Sequence, residues 1–244
     1  MEDHHTEPAP HVYARIGGVI YLIIIVLGAT QELFIRGAIV VPGDAAATAA
    51  NLASMEWLWR LGIAAEIVLL ICAASLTPIF YYLLRPVSGA GALLVVCFNL
   101  VSLVVEATAA LSLVAALAPV RGAAYLAAFS PEQLHAMARL AISAHGQGFT
   151  LALTFFGCEC LILGYLIFRS GFLPRAVGVL MFLAGVSYLV NGFAWILSPA
   201  FADQLVPAIL LPPFIGETSL CLWLLVKGVD VPKWRERASI VPAA

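Results

Sequence analysis

Apolar residues gather in six long runs, over approximately 14–36, 56–84, 90–117, 146–168, 175–197 and 207–227. Each is near or above the roughly twenty residues that cross a hydrocarbon core as a helix. The breaks between them are short. Arg85-Pro86 ends the second run and Arg169-Ser-Gly-Phe-Leu-Pro174 separates the fourth from the fifth. The second run exceeds a minimal span, so it is expected to tilt or to project into the interface, and Pro78 is a candidate kink. The pattern predicts an all-α integral membrane protein of six transmembrane helices. It divides the chain into an acidic tail over 1–11, one six-helix domain over 12–229 and a C-terminal tail over 230–244.

Composition agrees with that reading. The chain is 63% hydrophobic and 11% charged, with a mean hydropathy of +1.02 and a net charge of −2. Soluble domains carry about a quarter charged residues. No basic cluster suggests a nucleic-acid partner; the partner implied throughout is the lipid bilayer. Residues 1–11 hold three acids and no Lys or Arg. That is unlike the basic start of a cleavable signal peptide, so the first run is expected to remain as an anchor. The five cysteines lie in apolar runs with no C-x-x-C spacing, and read as small packing residues.

Basic residues in short loops set orientation. With the N-terminus inside, the inner side holds eight: Arg15, Arg85, Arg169, Arg175, Lys227, Lys233, Arg235 and Arg237. The outer side holds four: Arg36, Arg60, Arg121 and Arg139. Both termini are therefore expected to be cytoplasmic. Two short interfacial helices are expected in the outer loops. Asp44 is placed to cap an alanine-rich helix through Ser54. Ser130-Pro131-Glu132-Gln133 forms a capping box that starts an amphipathic helix, apolar at Leu134, Met137, Ala138, Ala141 and Ile142. His145-Gly146-Gln147-Gly148 is expected to turn that helix into the fourth span.

Five glutamates interrupt the apolar runs, one in each of five spans: Glu32, Glu66, Glu106, Glu159 and Glu217. An acid at this depth costs a few kcal/mol on insertion scales, so five imply a shared polar interior. With the predicted orientation, all five and Asn191 fall between midplane and outer surface, at about 1.5 Å per residue. The expected site is a carboxylate-rich cavity opening to the extracytoplasmic side. Arg36, Arg60 and His145 are the cationic candidates beside it. Pro212-Pro213, just before Gly216-Glu217, is expected to break the sixth helix in the same layer. Gly178, Gly185 and Gly192 form a small-residue stripe suited to close helix packing.

Several strings carry a family resemblance: Pro-Gly-Asp-Ala (42–45), Leu-Leu-Arg-Pro-Val (83–87), Phe-Ser-Pro-Glu-Gln-Leu (129–134) and His-Gly-Gln-Gly-Phe (145–149). Phe-Phe-Gly (155–157), the segment 163–175 and Leu-Pro-Pro-Phe-Ile-Gly-Glu (211–217) continue it. Together they resemble a bacterial multi-pass membrane family catalogued as domain of unknown function 4386, over roughly residues 12–229. The resemblance implies a bacterial cytoplasmic (inner) membrane protein and supplies no activity or cofactor. In the family pattern the position of Glu159 is often histidine and that of Asn191 often aspartate. This chain departs from both, which weakens a metal-ligand reading there.

Three function classes fit these residues. The first is binding or transport of a proton, a cation or a cationic, amphiphilic small molecule at the carboxylates. The second is an intramembrane enzyme acting on a lipid-like substrate, with carboxylates as acid/base groups or hard-metal ligands. No G-x-S-x-G or HExxH motif supports it. The third is a structural or interaction subunit whose glutamates join helices by hydrogen bonds. No cofactor motif is present. The scarcity of nitrogen and sulfur donors disfavours zinc and leaves a hard divalent cation open.

Overall fold

The computed structural model describes residues 10–240, and within them every regular element is helical. The expected 1–11 tail lies outside the described residues except for Pro10 and His11, as does the end of the chain from 241. Six helices are long and apolar enough to cross a membrane. They are α1 (Pro10–Ile39), α3 (Glu56–Leu84), α4 (Gly89–Val120), α5 (Pro131–Ser170), α6 (Arg175–Leu197) and the segment Ala208–Val226 that contains α8 (Leu211–Val226). The shorter α2 (Ala45–Ser54), α7 (Pro199–Leu205) and α9 (Val231–Ile240) complete the set. The helices present large apolar side chains outward, among them Val104 at 66% and Leu111 at 67% exposure. Such a surface is suited to lipid and would be an aggregation liability in water.

The second and fifth spans have the expected limits. The loop caps also form as the sequence requires: Asp44 Oδ1 accepts from Ala47 N at 2.8 Å, starting α2. Ser130 N donates to Gln133 Oε1 at 2.8 Å, and Gln133 N to Ser130 Oγ at 3.4 Å, starting α5.

Three expectations are corrected. First, no turn occurs at His145–Gly148; α5 is one helix of 40 residues, so the segment read as a separate amphipathic helix is its first part. Glycine weakens a helix by about 1 kcal/mol without ending it. Gly148 instead meets Ala109 so closely that an added Cβ would overlap the alanine methyl. Second, Pro212-Pro213 does not break a running helix. A 3₁₀ turn covers Ala208–Leu210, and the prolines sit in the opening turn of α8, where missing N–H groups are tolerated. The Ala208 carbonyl keeps a donor, accepting from Leu211 N. Third, the C-terminal end of α1 is not regular: Gln31–Arg36 is a π-helical stretch, closed by Gly37 N donating to Glu32 O, and the helix continues to Ile39.

The chain forms two compact units. The central unit comprises Ile23–Cys72 and Val101–Ala152. Its core packs Ile35, Ile39, Leu52, Trp59, Leu113 and Ile142, and Trp59 Nε1 donates to Leu113 O at 2.9 Å. The terminal unit comprises Met1–Leu22, Ala73–Leu100 and Leu153–Ala244. Its core includes Leu83, Leu163, Leu166, Met181, Leu220 and Leu224. Here the glycine stripe of α6 acts as expected. A Cβ on Gly178 would stand 2.6 Å from Phe168 N, and one on Gly185 would stand 2.7 Å from Gly157 O. Only hydrogen at these positions lets α5 and α6 lie backbone to backbone. Trp234 anchors α9 in the same unit by donating Nε1 to Leu83 O at 2.9 Å.

Candidate functional site

Each unit holds its own buried polar cluster. In the central unit the focus is Glu66, on α3, with 2% of its surface exposed. The π-helical stretch of α1 brings two partners to it, since π turns re-aim side chains that a regular helix would place elsewhere. Arg36 Nη2 donates to Glu66 Oε2 at 3.4 Å, while Nη1 donates to Glu32 Oε2 at 3.0 Å. Gln31, with its amide nitrogen facing Glu66, donates to the same Oε2 and to Gly62 O. Oε2 is thus supplied twice over.

Oε1 is different. It lies 3.7 Å from His145 Nε2, beyond hydrogen-bonding distance. Both atoms are buried and neither has a hydrogen-bond partner. His145 comes from α5, where Ala138, Ile142 and His145 form one buried helical face. Glu106, from α4 and also buried, lies close enough to Glu66 for the two carboxyls to interact. Beside the cluster is a space of about 10 Å³ lined by Gln31, Arg36 and Trp59, room for roughly one water.

The terminal unit treats its acids otherwise. Glu217 on α8 accepts from Tyr188 Oη at 2.5 Å through Oε1, and from Tyr21 Oη at 3.2 Å through Oε2. Glu159 on α5, 1% exposed, accepts from Asn99 Nδ2 at 2.7 Å. Asn99 Oδ1 in turn accepts from Thr77 Oγ1 at 2.6 Å. These chains tie neighbouring helices together. The unit's unpaired buried side-chain oxygen among the described residues is the neutral hydroxyl of Thr218.

The structure therefore brings together Glu66, Glu106, Arg36 and His145 in one cluster, with Glu32 as an exposed clasp on Arg36. Glu159 and Glu217 belong to the terminal unit, where Asn191 is half-buried and takes no part in these hydrogen bonds. Arg60 joins neither group. It pairs with Glu56 at 2.8 Å, as does Arg121 at 3.4 Å. Among the described residues no group of three or more His, Cys, Asp or Glu is arranged to hold a metal ion. Sequence reasoning missed Gln31, Tyr21, Tyr188, Asn99 and Thr77. The available signal was their depth: a hydroxyl or amide well inside an apolar run needs a partner.

Comparison with known proteins decides the relationship. Residues 16–228 match the family described as Domain of unknown function (DUF4386). The chain belongs to the DUF4386 family. A relative in Archaeoglobus fulgidus (strain ATCC 49558 / DSM 4304 / JCM 9628 / NBRC 100126 / VC-16), described as "Uncharacterized protein", is 32% identical over 78 residues. That match covers 32% of this chain and 44% of the relative. No solved structure matches. The DUF4386 match spans both polar clusters and all six membrane-capable helices almost entirely.

Proposed function

We propose that this DUF4386 member reversibly binds a proton at the Glu66–Glu106–His145 cluster of its central unit, as a multi-pass protein of the bacterial inner membrane with both termini cytoplasmic. The observation that carries the reading is the facing pair of unpartnered buried atoms, Glu66 Oε1 and His145 Nε2, 3.7 Å apart. Leaving such groups unpaired costs about 1–3 kcal/mol each. A proton on either group, with a small approach or one bridging water, closes the gap and relieves that cost. Arg36 and Gln31 hold Oε2 and so fix the carboxyl with Oε1 turned toward the imidazole. The space beside the cluster favours a proton over a bulkier cation or amphiphile, because it admits no more than about one water. The excess of basic residues in the loops on the terminal side supports the orientation.

The test is infrared difference spectroscopy of the reconstituted protein across a pH titration. A carboxyl C=O band that appears and disappears reversibly in wild type should be lost in Glu66→Gln and shifted in pH by His145→Ala. An unchanged band in both variants would rule out this cluster as the proton site. A structural reading suits Glu159 and Glu217, whose donors come from neighbouring helices of the same unit.

A further inference from the structure

A second site is lined by none of these acids. In the terminal unit, the turn Gly171–Pro174 after α5 and the turn Lys227–Asp230 after α8 enclose an open cleft of about 470 Å³. Asp230 N donates to Phe172 O at 3.2 Å and ties the two turns together. Gly171 and Gly228 allow both chain reversals, with φ of +77° and +69°. α5 ends at Ser170, α6 begins at Arg175 and α8 ends at Val226, so the cleft sits where spans leave the hydrocarbon.

Its lining is mixed in the manner of that boundary. Phe172, Leu173 and Trp223 supply apolar surface, and Lys227 and Lys233 supply two exposed ammonium groups. Lys233 pairs with Asp230 at 3.0 Å, and the hydrogen bonds from Lys233 hold the Asp230 carboxyl below its usual range. Lys227 forms no ion pair among the described residues. Asp230 is an acid at the cleft, but it is already committed: its Oδ1 accepts from Lys233 N at 3.3 Å and caps α9. The remaining charge of the cleft is positive.

We propose that this cleft binds the phosphodiester headgroup of an anionic glycerophospholipid, with Lys227 and Lys233 on the phosphate and the acyl chains leaving along the apolar wall of α8. Basic recesses at span ends are suited to such headgroups, because the lipid supplies charge and hydrocarbon at matching depths. Trp223 at the rim is the residue type that prefers this layer. The exposed faces of α8, Leu222 and Val226 among them, give the chains a surface to lie on.

The test is native mass spectrometry of the full-length, delipidated protein titrated with phosphatidylglycerol, phosphatidylcholine or sn-glycerol 3-phosphate. Wild type should retain phosphatidylglycerol in preference to phosphatidylcholine, and K227Q/K233Q should bind it about thirtyfold more weakly, from about 1 kcal/mol for each of the two lysines at a membrane surface. Both lysines are exposed, so unchanged thermal unfolding in detergent will show that the variant folds. Equal retention of the two lipids, or equal retention by variant and wild type, would overturn the proposal. So would binding of sn-glycerol 3-phosphate as tight as that of the lipid, which would mark a soluble phosphate ligand instead.

Discussion

Glu66 and Glu159 are the same residue type at nearly the same burial, 2% and 1% exposed, yet their units use them differently. In the terminal unit Glu159 accepts from an amide that is itself braced by Thr77, and Glu217 has a tyrosine hydroxyl on each oxygen. In the central unit one oxygen of Glu66 has two donors and the other faces an unpartnered imidazole nitrogen. Burial of an acid therefore does not by itself mark a site. What separates the two regions is whether the hydrogen-bond accounting closes. A closed network holds helices in place; the open one is the cluster proposed above to take up a proton.

Substitutions in the two units test that contrast. The largest effect is expected where the terminal unit has no room at all. Gly178→Val pushes side-chain atoms into the Phe168 and Gly164 backbone, and should cost about 3 kcal/mol or more. Thermal unfolding in detergent would show it as a large loss of folded protein. Next is Glu217→Ala, which strips the acceptor from the Tyr21 and Tyr188 hydroxyls and should destabilise by about 2–5 kcal/mol. Glu217→Gln, which keeps an acceptor oxygen, should recover part of that loss. Neither Glu217 variant should alter the infrared proton signal; if either removes it, the two clusters do not divide into structure and site.

Glu66→Gln should behave in the opposite way. Arg36 keeps Glu32 as a partner, so the stability loss should be modest, about 1–2 kcal/mol, while the proton signal disappears. A severe loss of stability with the signal intact would reverse the assignment of roles. The smallest effect belongs to a control outside both clusters. Asp44→Ala removes the cap of α2 and should cost about 1 kcal/mol, with no change in proton binding.

Much of the fold was legible in the residues because one strong rule governs it. A backbone in hydrocarbon must satisfy its own hydrogen bonds, so long apolar runs become helices and polar breaks end them. The limits 56–84 and 175–197 agree with the observed α3 and α6. The caps at Asp44 and Ser130 were readable because they are local, each joining residues two or three apart. Local signals misled where a glycine or proline had a tertiary reason to be present. Gly148 resembles a turn residue but makes room for Ala109, and Pro212-Pro213 resemble a break but open a helix.

The residues alone identify six helices apolar enough to cross a membrane, the five glutamates within their apolar runs, and the glycine stripe of the fifth span. Which acids meet depends on how the helices pack. A helix presents side chains every 100°, and the π-helical stretch at Gln31–Arg36 shifts that phase locally. Partners such as Tyr21 and Glu217 lie 196 residues apart. No spacing rule joins residues so distant, and packing alone separated one expected cavity into a closed cluster and an open one.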